Sequence, residues 1–268
     1  MNPGWSASSV ALDMMEETPR STLRDLDPST LWISYAHRPC REATVSSRGP
    51  ALLGPANLAL GKSTPAPEGY AYVFPKRDHV NIGIGYILSY YREALEHSPY
   101  DLQREFIADL RARHIVEGDS VRGNFTPFLI PVGGPLPVPA RGRVLLVGDA
   151  GGFVNGFTAE GIYYAMVSGE RAADAVLEDD PRPMADRYCR TVDDEIGDEL
   201  RDSVLLQRYL FADRRRIVAV IESAGRERAM TRLILDFAMG RMSYRALRRR
   251  MLTHSPMLAA RLLWAHLN

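Results

Sequence analysis

A chain of 268 residues has room for one or two domains around a proper core. Its 46% hydrophobic and 25% charged content excludes a disordered chain, a collagen-like repeat and a small disulfide scaffold. Lys and Arg total 33 and so do Asp and Glu, so no overall field favours nucleic acid or an acidic surface. The opening Met1–Ser6 lacks the basic patch and apolar core of a signal peptide, and no run of about 18 apolar residues could span a bilayer. Cys40 and Cys189 have neither CxxC nor zinc-like spacing and point to a reducing compartment. The expectation is a cytoplasmic protein, at most peripheral to a membrane.

Residues 11–35 open on Ala11-Leu12-Asp13-Met14-Met15-Glu16-Glu17 and close on Leu31–Tyr35, which alternates as a half-buried strand does. Residues 36–66 are rich in Arg, Pro, Ser, Gly and Ala and show neither period, so they read as an irregular insertion. Order returns at Gly69. Tyr70–Phe74 and Val80–Tyr86 read as two strands of a hairpin around the turn residues Pro75–Asp78. Ser98-Pro99 opens a helix with Leu102, Phe106, Ile107 and Leu110 at amphipathic spacing. A strand over Phe125–Ile130 leads into the Gly/Pro segment Pro131–Pro139. Val144–Val147, bounded by Gly148-Asp149, has the continuous apolar character of a central parallel strand. A helix follows from Gly161, and the pattern from Met184 onward is helical throughout.

Two stretches carry chemistry. In the first, a strand ends in Gly148-Asp149, a Gly-rich loop follows, and a helix begins near Gly161-Ile162. Glycines permit close backbone approach to a ligand, and the Asp149 carboxylate can accept hydrogen bonds from a ribose hydroxyl. The helix N-terminus offers free N–H groups and partial positive charge to a pyrophosphate or to the anionic edge of a reduced flavin. An ordinary strand–turn–helix corner with Asp149 as a cap explains the same residues equally well. In the second stretch, alternation places Tyr70, Tyr72 and Phe74 on one strand face, where they can wall an apolar pocket, while Gly83 and Gly85 leave room on the partner strand. A plain aromatic core face is the simpler reading of that stretch taken alone. Lys76, Arg77 and His79 fit a solvated turn, and His97 and His114 a helix surface. The arginine runs Arg214–Arg216 and Arg248–Arg250 and the amphipathic end Met257–Leu267 fit a solvated face better than a lipid surface.

The segment from Arg143 to Ala173 resembles the second FAD-binding signature of the flavoproteins that include geranylgeranyl reductases and p-hydroxybenzoate hydroxylase-like enzymes. Pro67-Glu68-Gly69-Tyr70-Ala71-Tyr72-Val73-Phe74-Pro75, followed by Gly83-Ile84-Gly85, resembles the PxxYxWxFP…GxG substrate signature of the geranylgeranyl reductases, with Tyr72 in place of tryptophan. Residues 14–32 are similar to the stretch that precedes the aromatic strand in bacterial members. The resemblance implies FAD held by Gly148, Asp149, Ala150, Asn155, Gly156, Thr158, Glu160, Gly161 and Ile162. It implies an isoprenoid chain along Tyr70, Tyr72, Phe74, Pro75, Gly83 and Gly85, reduced with NAD(P)H as external donor; no metal and no named acid or base enter.

The chain also departs from that family at its first FAD signature: no GxGxxG lies between an opening strand and helix, so the ADP-binding βαβ unit is expected to be absent. Without it, Val144–Val147 would lack neighbouring strands. The expected architecture is mixed α+β and α/β. It comprises a substrate-domain antiparallel sheet over 1–139, a residual FAD-binding strand–loop–helix over 140–180, and a helical region over 181–268. Three functions stay open: a flavin-dependent isoprenoid reductase, a non-catalytic remnant or half of a split flavoprotein whose partner chain supplies the missing unit, and a flavin-dependent monooxygenase. The aromatic signature speaks against the last.

Overall fold

The computed structural model describes residues 5–35 and 68–211 continuously, and scattered residues between 216 and 250. The irregular stretch 36–66, with Cys40, lies outside the described residues, as do Pro67, Arg214, Arg215, Arg248 and the amphipathic end Met257–Leu267. Residues 12–129 form one compact unit, and residues 1–11 with 130–268 form a second. The boundaries at 139/140 and 180/181 drawn from the sequence fall inside the second.

The first unit is built on a five-stranded sheet. Its strands are β1 (Val10–Pro19), β2 (Trp32–Tyr35), β3 (Gly69–Pro75), β4 (His79–Ile87) and β5 (Phe125–Pro131), in the spatial order β2-β3-β4-β1-β5. β2, β3 and β4 pair antiparallel, with Tyr35 opposite Tyr70, Tyr70 opposite Gly85, and Tyr72 opposite Gly83. The hairpin read from the sequence is therefore present, and its turn is held by Arg20, whose Nη1 donates to the carbonyls of Lys76 and Arg77. After α1 (Leu88–Ala94), α2 runs from Pro99 to Ala112. Ser98 caps it by accepting the Asp101 N–H, and Pro99 at the first position presets the helical φ.

α2 buries Leu102, Phe106, Ile107 and Leu110 against Leu12, Met14, Ala71, Val73, Ile82 and Ile84. Burial of each large apolar side chain stabilises by roughly 1.5–3 kcal/mol, so this layer is the main source of the unit's stability. Gln103 is also buried there, and its Nε2 donates to the Ile82 carbonyl at 2.8 Å, tying helix to sheet. Because side chains alternate along a strand, the residues between these core positions stand on the other sheet face. Those residues are Asp13, Tyr70, Tyr72, Phe74, Gly83 and Gly85.

The second unit is largely helical, with α3 (Ile162–Leu177), α4 (Met184–Val192), α5 (Asp198–Phe211) and a further helix over Arg228–Ala238. A π-helical turn over Asp193–Gly197 joins α4 to α5. Its core gathers Phe153, Tyr164, Val167, Ala175, Tyr188, Val192, Ile196 and Leu200. The strand–loop–helix is there, but its strand corrects the sequence reading. Instead of a four-residue central parallel strand, β7 covers only Val144–Leu145 and pairs antiparallel with β6 (Ala140–Arg141) in a two-stranded ribbon. Val144 is 54% and Val147 40% exposed. The cause is non-local: a parallel strand needs neighbours on its edges and helices on its faces, and this ribbon has a single partner strand.

Candidate functional site

At the corner after β7 the chain turns through a 3₁₀ segment, Gly148–Gly151. Gly148 adopts φ +53°, and a Cβ there would stand 3.0 Å from the Ala165 Cβ, so this glycine is demanded by the close approach of α3. Its N–H donates to the buried Ser168 Oγ at 2.9 Å, and that hydroxyl donates to the Tyr164 carbonyl. The loop beyond is organised by Asn155, which is buried. Its Oδ1 accepts the N–H groups of Phe157 and Thr158 at 3.0 Å each and the Tyr244 hydroxyl at 2.7 Å. Gly156 donates its N–H to Ser203 Oγ at 2.7 Å. Tyr164 donates to Glu199 Oε1 at 2.9 Å, and burial pushes its phenol pKa upward.

These contacts divide the expected cofactor residues into two sets. Gly148, Asn155 and Gly156 face inward and shape the loop. Asp149, Ala150, Glu160 and Ile162 are exposed, with Thr158 and Gly161 half-buried. Gly161 is the N-cap of α3, and no side chain caps the helix there. A Cβ on Gly161 would come within 3.1 Å of Asp149 Oδ1, so the carboxylate lies directly beside the helix entry. The open N–H groups of that first turn, together with this carboxylate, can serve a ligand carrying both anionic and hydroxyl groups.

In the first unit the expected substrate residues form a continuous ladder. Ring centroids are 5.6 Å apart for Tyr35 and Tyr70, 6.0 Å for Tyr70 and Tyr72, and 4.6 Å for Tyr72 and Phe74, the last pair stacked. Tyr70 and Phe74 are half-buried, as is Pro75 at the end of β3, whereas Tyr72 is only 8% exposed. Gly83 differs from expectation. A Cβ there would lie 2.2 Å from Tyr72 Cζ, so the room it leaves is filled by the Tyr72 ring. At Gly85 the space is taken in part as well, since such a Cβ would stand 3.2 Å from Asp13 Oδ1, closer than ordinary contact.

Sequence reasoning missed Asp13. It receives the Tyr72 hydroxyl at 3.1 Å on Oδ2, and burial pushes its carboxyl pKa up to about 6 despite that bond and one from the Met14 backbone. Burial, then the neighbouring Asp13 charge, raises Tyr72 in turn. The signal available was an acid between Leu12 and Met14, but nothing local distinguishes it from an exposed one. Ser168, Ser203 and Tyr244 were missed as well; Ser168 supports the loop from α3 itself, and Ser203 and Tyr244 from further along the chain. Among the described residues no cluster of His, Cys, Asp and Glu could hold a metal ion, and no helix is long and apolar enough to cross a membrane.

The fold resembles that of a geranylgeranyl bacteriochlorophyll reductase-like protein from Thermoplasma acidophilum. Its crystal structure matches with a TM-score of 0.56 over 77% of this chain and 45% of that one, at 18% identity. This bears out the expected mixed helix-and-sheet class. In sequence, the chain is 38% identical over 113 residues to the chloroplastic geranylgeranyl diphosphate reductase of Oryza sativa subsp. japonica, 42% of this chain and 22% of that protein. It is also 38% identical over 115 residues to the digeranylgeranylglycerophospholipid reductase of Methanocella arvoryzae, 41% of this chain and 26% of that protein. These relatives carry the family name that the two motifs implied. The match spans about a quarter of each curated relative, and no protein-family model matches the chain.

Proposed function

We propose that the chain is a unit of a FAD-dependent oxidoreductase that reduces carbon–carbon double bonds of an isoprenoid, with NAD(P)H as the external electron donor. The observation that carries this reading is the unbroken ladder Tyr35–Tyr70–Tyr72–Phe74 on one sheet face, within a chain whose relatives are named for isoprenoid reduction. A long apolar substrate gains from a run of aromatic rings, and this face offers four in mutual contact. The residues at the α3 corner fit a flavin nucleotide. Asp149 and Glu160 would accept from sugar hydroxyls, and the uncapped N–H groups at Ile162 and after would receive an anionic oxygen. When bound, the flavin supplies hydride; this chain's residues orient the substrate and exclude water.

One observation favours a second arrangement, in which the working enzyme includes a partner chain that supplies the ADP-binding unit. Val144, Val147, Ile162 and Met166 are all strongly exposed near the corner, as the faces of an incompletely covered strand and helix would be. The two arrangements separate in one measurement. The purified chain is incubated with FAD and desalted, and its visible spectrum recorded. Retained flavin bands, lost on Asp149→Ala, are expected if the chain holds the cofactor by itself. A colourless wild-type chain overturns autonomous flavin binding and leaves the two-chain arrangement.

A further inference from the structure

The loop from Asn155 to Gly161 is held from behind by a residue far outside the flavin-like segment, which ends at Ala173. Tyr244 is 3% exposed and donates its hydroxyl to Asn155 Oδ1 at 2.7 Å, across 89 positions of sequence. Chemistry fixes the directions in this network. The Phe157 and Thr158 N–H groups can only donate, so the Asn155 carboxamide must turn its oxygen toward them. Tyr244 reaches that same oxygen and must donate too. Asn155 Nδ2 then donates at 3.4 Å to the Tyr164 oxygen, whose own proton goes to Glu199 Oε1. The relay runs one way, from Tyr244 through Asn155 and Tyr164 to Glu199 on α5. The rest of the loop has no slack. A Cβ on Gly156 would stand 2.8 Å from Val204 Cγ2 and 3.0 Å from the Val132 carbonyl oxygen, and the Phe157 ring lies 5.9 Å from that of Phe211. Ala159 sits at φ +59°, a left-handed conformation that an alanine keeps only where its neighbours hold it. Its N–H donates to the Asn155 carbonyl at 2.9 Å. With the inner side fixed in this way, half-buried Thr158 and exposed Glu160 are left for a ligand. Tyr244 is itself anchored in a helical turn, where Ser243 Oγ accepts the Ala246 N–H and the Ser243 carbonyl accepts that of Leu247.

We infer that Tyr244 is a positioning residue of the flavin loop: its hydroxyl fixes the Asn155 carboxamide, and through it the backbone that presents Thr158 and Glu160. The inference rests on the flavin reading of the α3 corner. It makes the chain beyond α5, where the sequence shows no motif, part of what prepares that corner for its cofactor. A loop ordered before the ligand arrives spares the ligand the cost of ordering it, so the effect belongs in affinity. Without the hydroxyl, Asn155 keeps only the two N–H groups of its own loop and no longer ties that loop to the Ser243–Leu247 turn.

The test uses the full chain and Tyr244→Phe, which keeps the ring and its packing and removes only the hydroxyl. Amide hydrogen exchange, read by mass spectrometry without FAD, should rise about fivefold or more in the peptide covering 155–161, the ratio that one lost hydrogen bond supports. Peptides of α3, α4 and α5 should exchange as before. Adding Tyr244→Phe to Asn155→Ala should change the loop no further, because the hydroxyl acts through that carboxamide. FAD is then titrated with each chain and binding followed by quenching of flavin fluorescence. Its dissociation constant should rise about fivefold or more in Tyr244→Phe, for the same lost bond. Exchange in the loop that stays at the wild-type rate, or a smaller change in FAD affinity, overturns the assignment and leaves the flavin reading intact. Exchange that rises through α3, α4 and α5 together overturns it as well, since Tyr244 is then a core residue of the whole unit. A wild-type chain that binds no FAD overturns autonomous flavin binding, and the assignment falls with it.

Discussion

The sheet over residues 12–129 and the corner around Gly148 start from similar apolar sequence and end differently. In the sheet, Val73, Ile82 and Ile84 are essentially sealed, because α2 returns across them at the right spacing. At the corner, Val144-Leu145-Leu146-Val147 is at least as apolar, yet Val144 is 54% exposed and the adjacent α3 shows solvent Ile162 at 82% and Met166 at 64%. An apolar run creates a demand for cover, and only other segments can meet it. The corner therefore keeps its shape by polar means, through Asn155, Ser168, Ser203 and Tyr188, whose hydroxyl donates to the Leu146 carbonyl at 2.6 Å. The sheet is held mainly by packing, whereas the corner adds hydrogen bonds to buried loop backbone to the packing of Phe153 and Tyr164.

The largest test of this contrast is in the sheet. Phe106 is fully buried and stacks on Trp32 with ring centroids 6.1 Å apart. Phe106→Ala removes both its apolar burial and its filling of the core, and should destabilise the sheet unit by about 3–5 kcal/mol. Urea unfolding followed by tryptophan fluorescence measures it; a loss below about 1 kcal/mol would mean that α2 does not seal the sheet. The helical unit has a polar counterpart. Arg187 is buried, and its guanidinium donates to the carbonyls of Ala175, Glu178, Asp180 and Arg182 at the end of α3 and the turn that follows. Arg187→Ala leaves those carbonyls without their donor, and a loss of about 2–4 kcal/mol is expected. Calorimetry should show it as a lowered melting temperature, and Lys in its place should restore only part, since one ammonium cannot span that fork of acceptors.

The same contrast explains what the sequence made legible. The hairpin was readable because Tyr70, Tyr72 and Phe74 alternate against Val73 and Ala71, and α2 because Ser98-Pro99 states its start and four apolar residues its face. Those signals are local. β1 was not recognised as a strand because its inward positions read Leu12, Met14 and then Glu16, an acid at a core position. Glu16 is buried only because the Ser120 hydroxyl and the Val121 N–H, over a hundred residues away, both donate to it at 2.6 Å. Asp13 was illegible for the related reason that its environment comes from β3 and β4. The residues named for the α3 corner lie around one loop, but their split into inward and outward sets depends on α5 and on Tyr244. Local pattern identifies which segments exist; which atoms remain free is decided by partners far along the chain.

Asp13 also affects stability with a sign opposite to that of a paired carboxylate. Its folded pKa, about 6, lies above the ordinary 3.8, so the folded state binds the extra proton between those values. Stability from this group is full below about pH 4, declines as pH rises to about 6, and stays at its lower level above. Asp13→Asn cannot ionise and should gain about 1–2 kcal/mol over wild type at pH 8, with little difference at pH 4. Thermal melts of the two chains across pH 4–8 check this. Parallel curves would show that the carboxyl is hydrated and that the ladder face is wetter than its rings suggest.

The smallest expected effect is the sharpest test of the comparison. Ile162 is 82% exposed at the start of α3, so Ile162→Ser removes almost no buried area and should change stability by less than about 0.5 kcal/mol. Serine and isoleucine are about equal as helix formers, so propensity adds little to the change. What the substitution does change is the hydrophobic surface available for association. If the exposed run is covered by a second chain, Ile162→Ser should leave the melting temperature of the dilute protein alone yet lower the affinity for that partner, because burying an isoleucine is worth roughly 1.5–3 kcal/mol and a serine far less. A loss above about 1.5 kcal/mol in the isolated chain would reverse the comparison. It would mean that α3's outer face is already packed in solution, and that the corner, like the sheet, has met its own demand for cover.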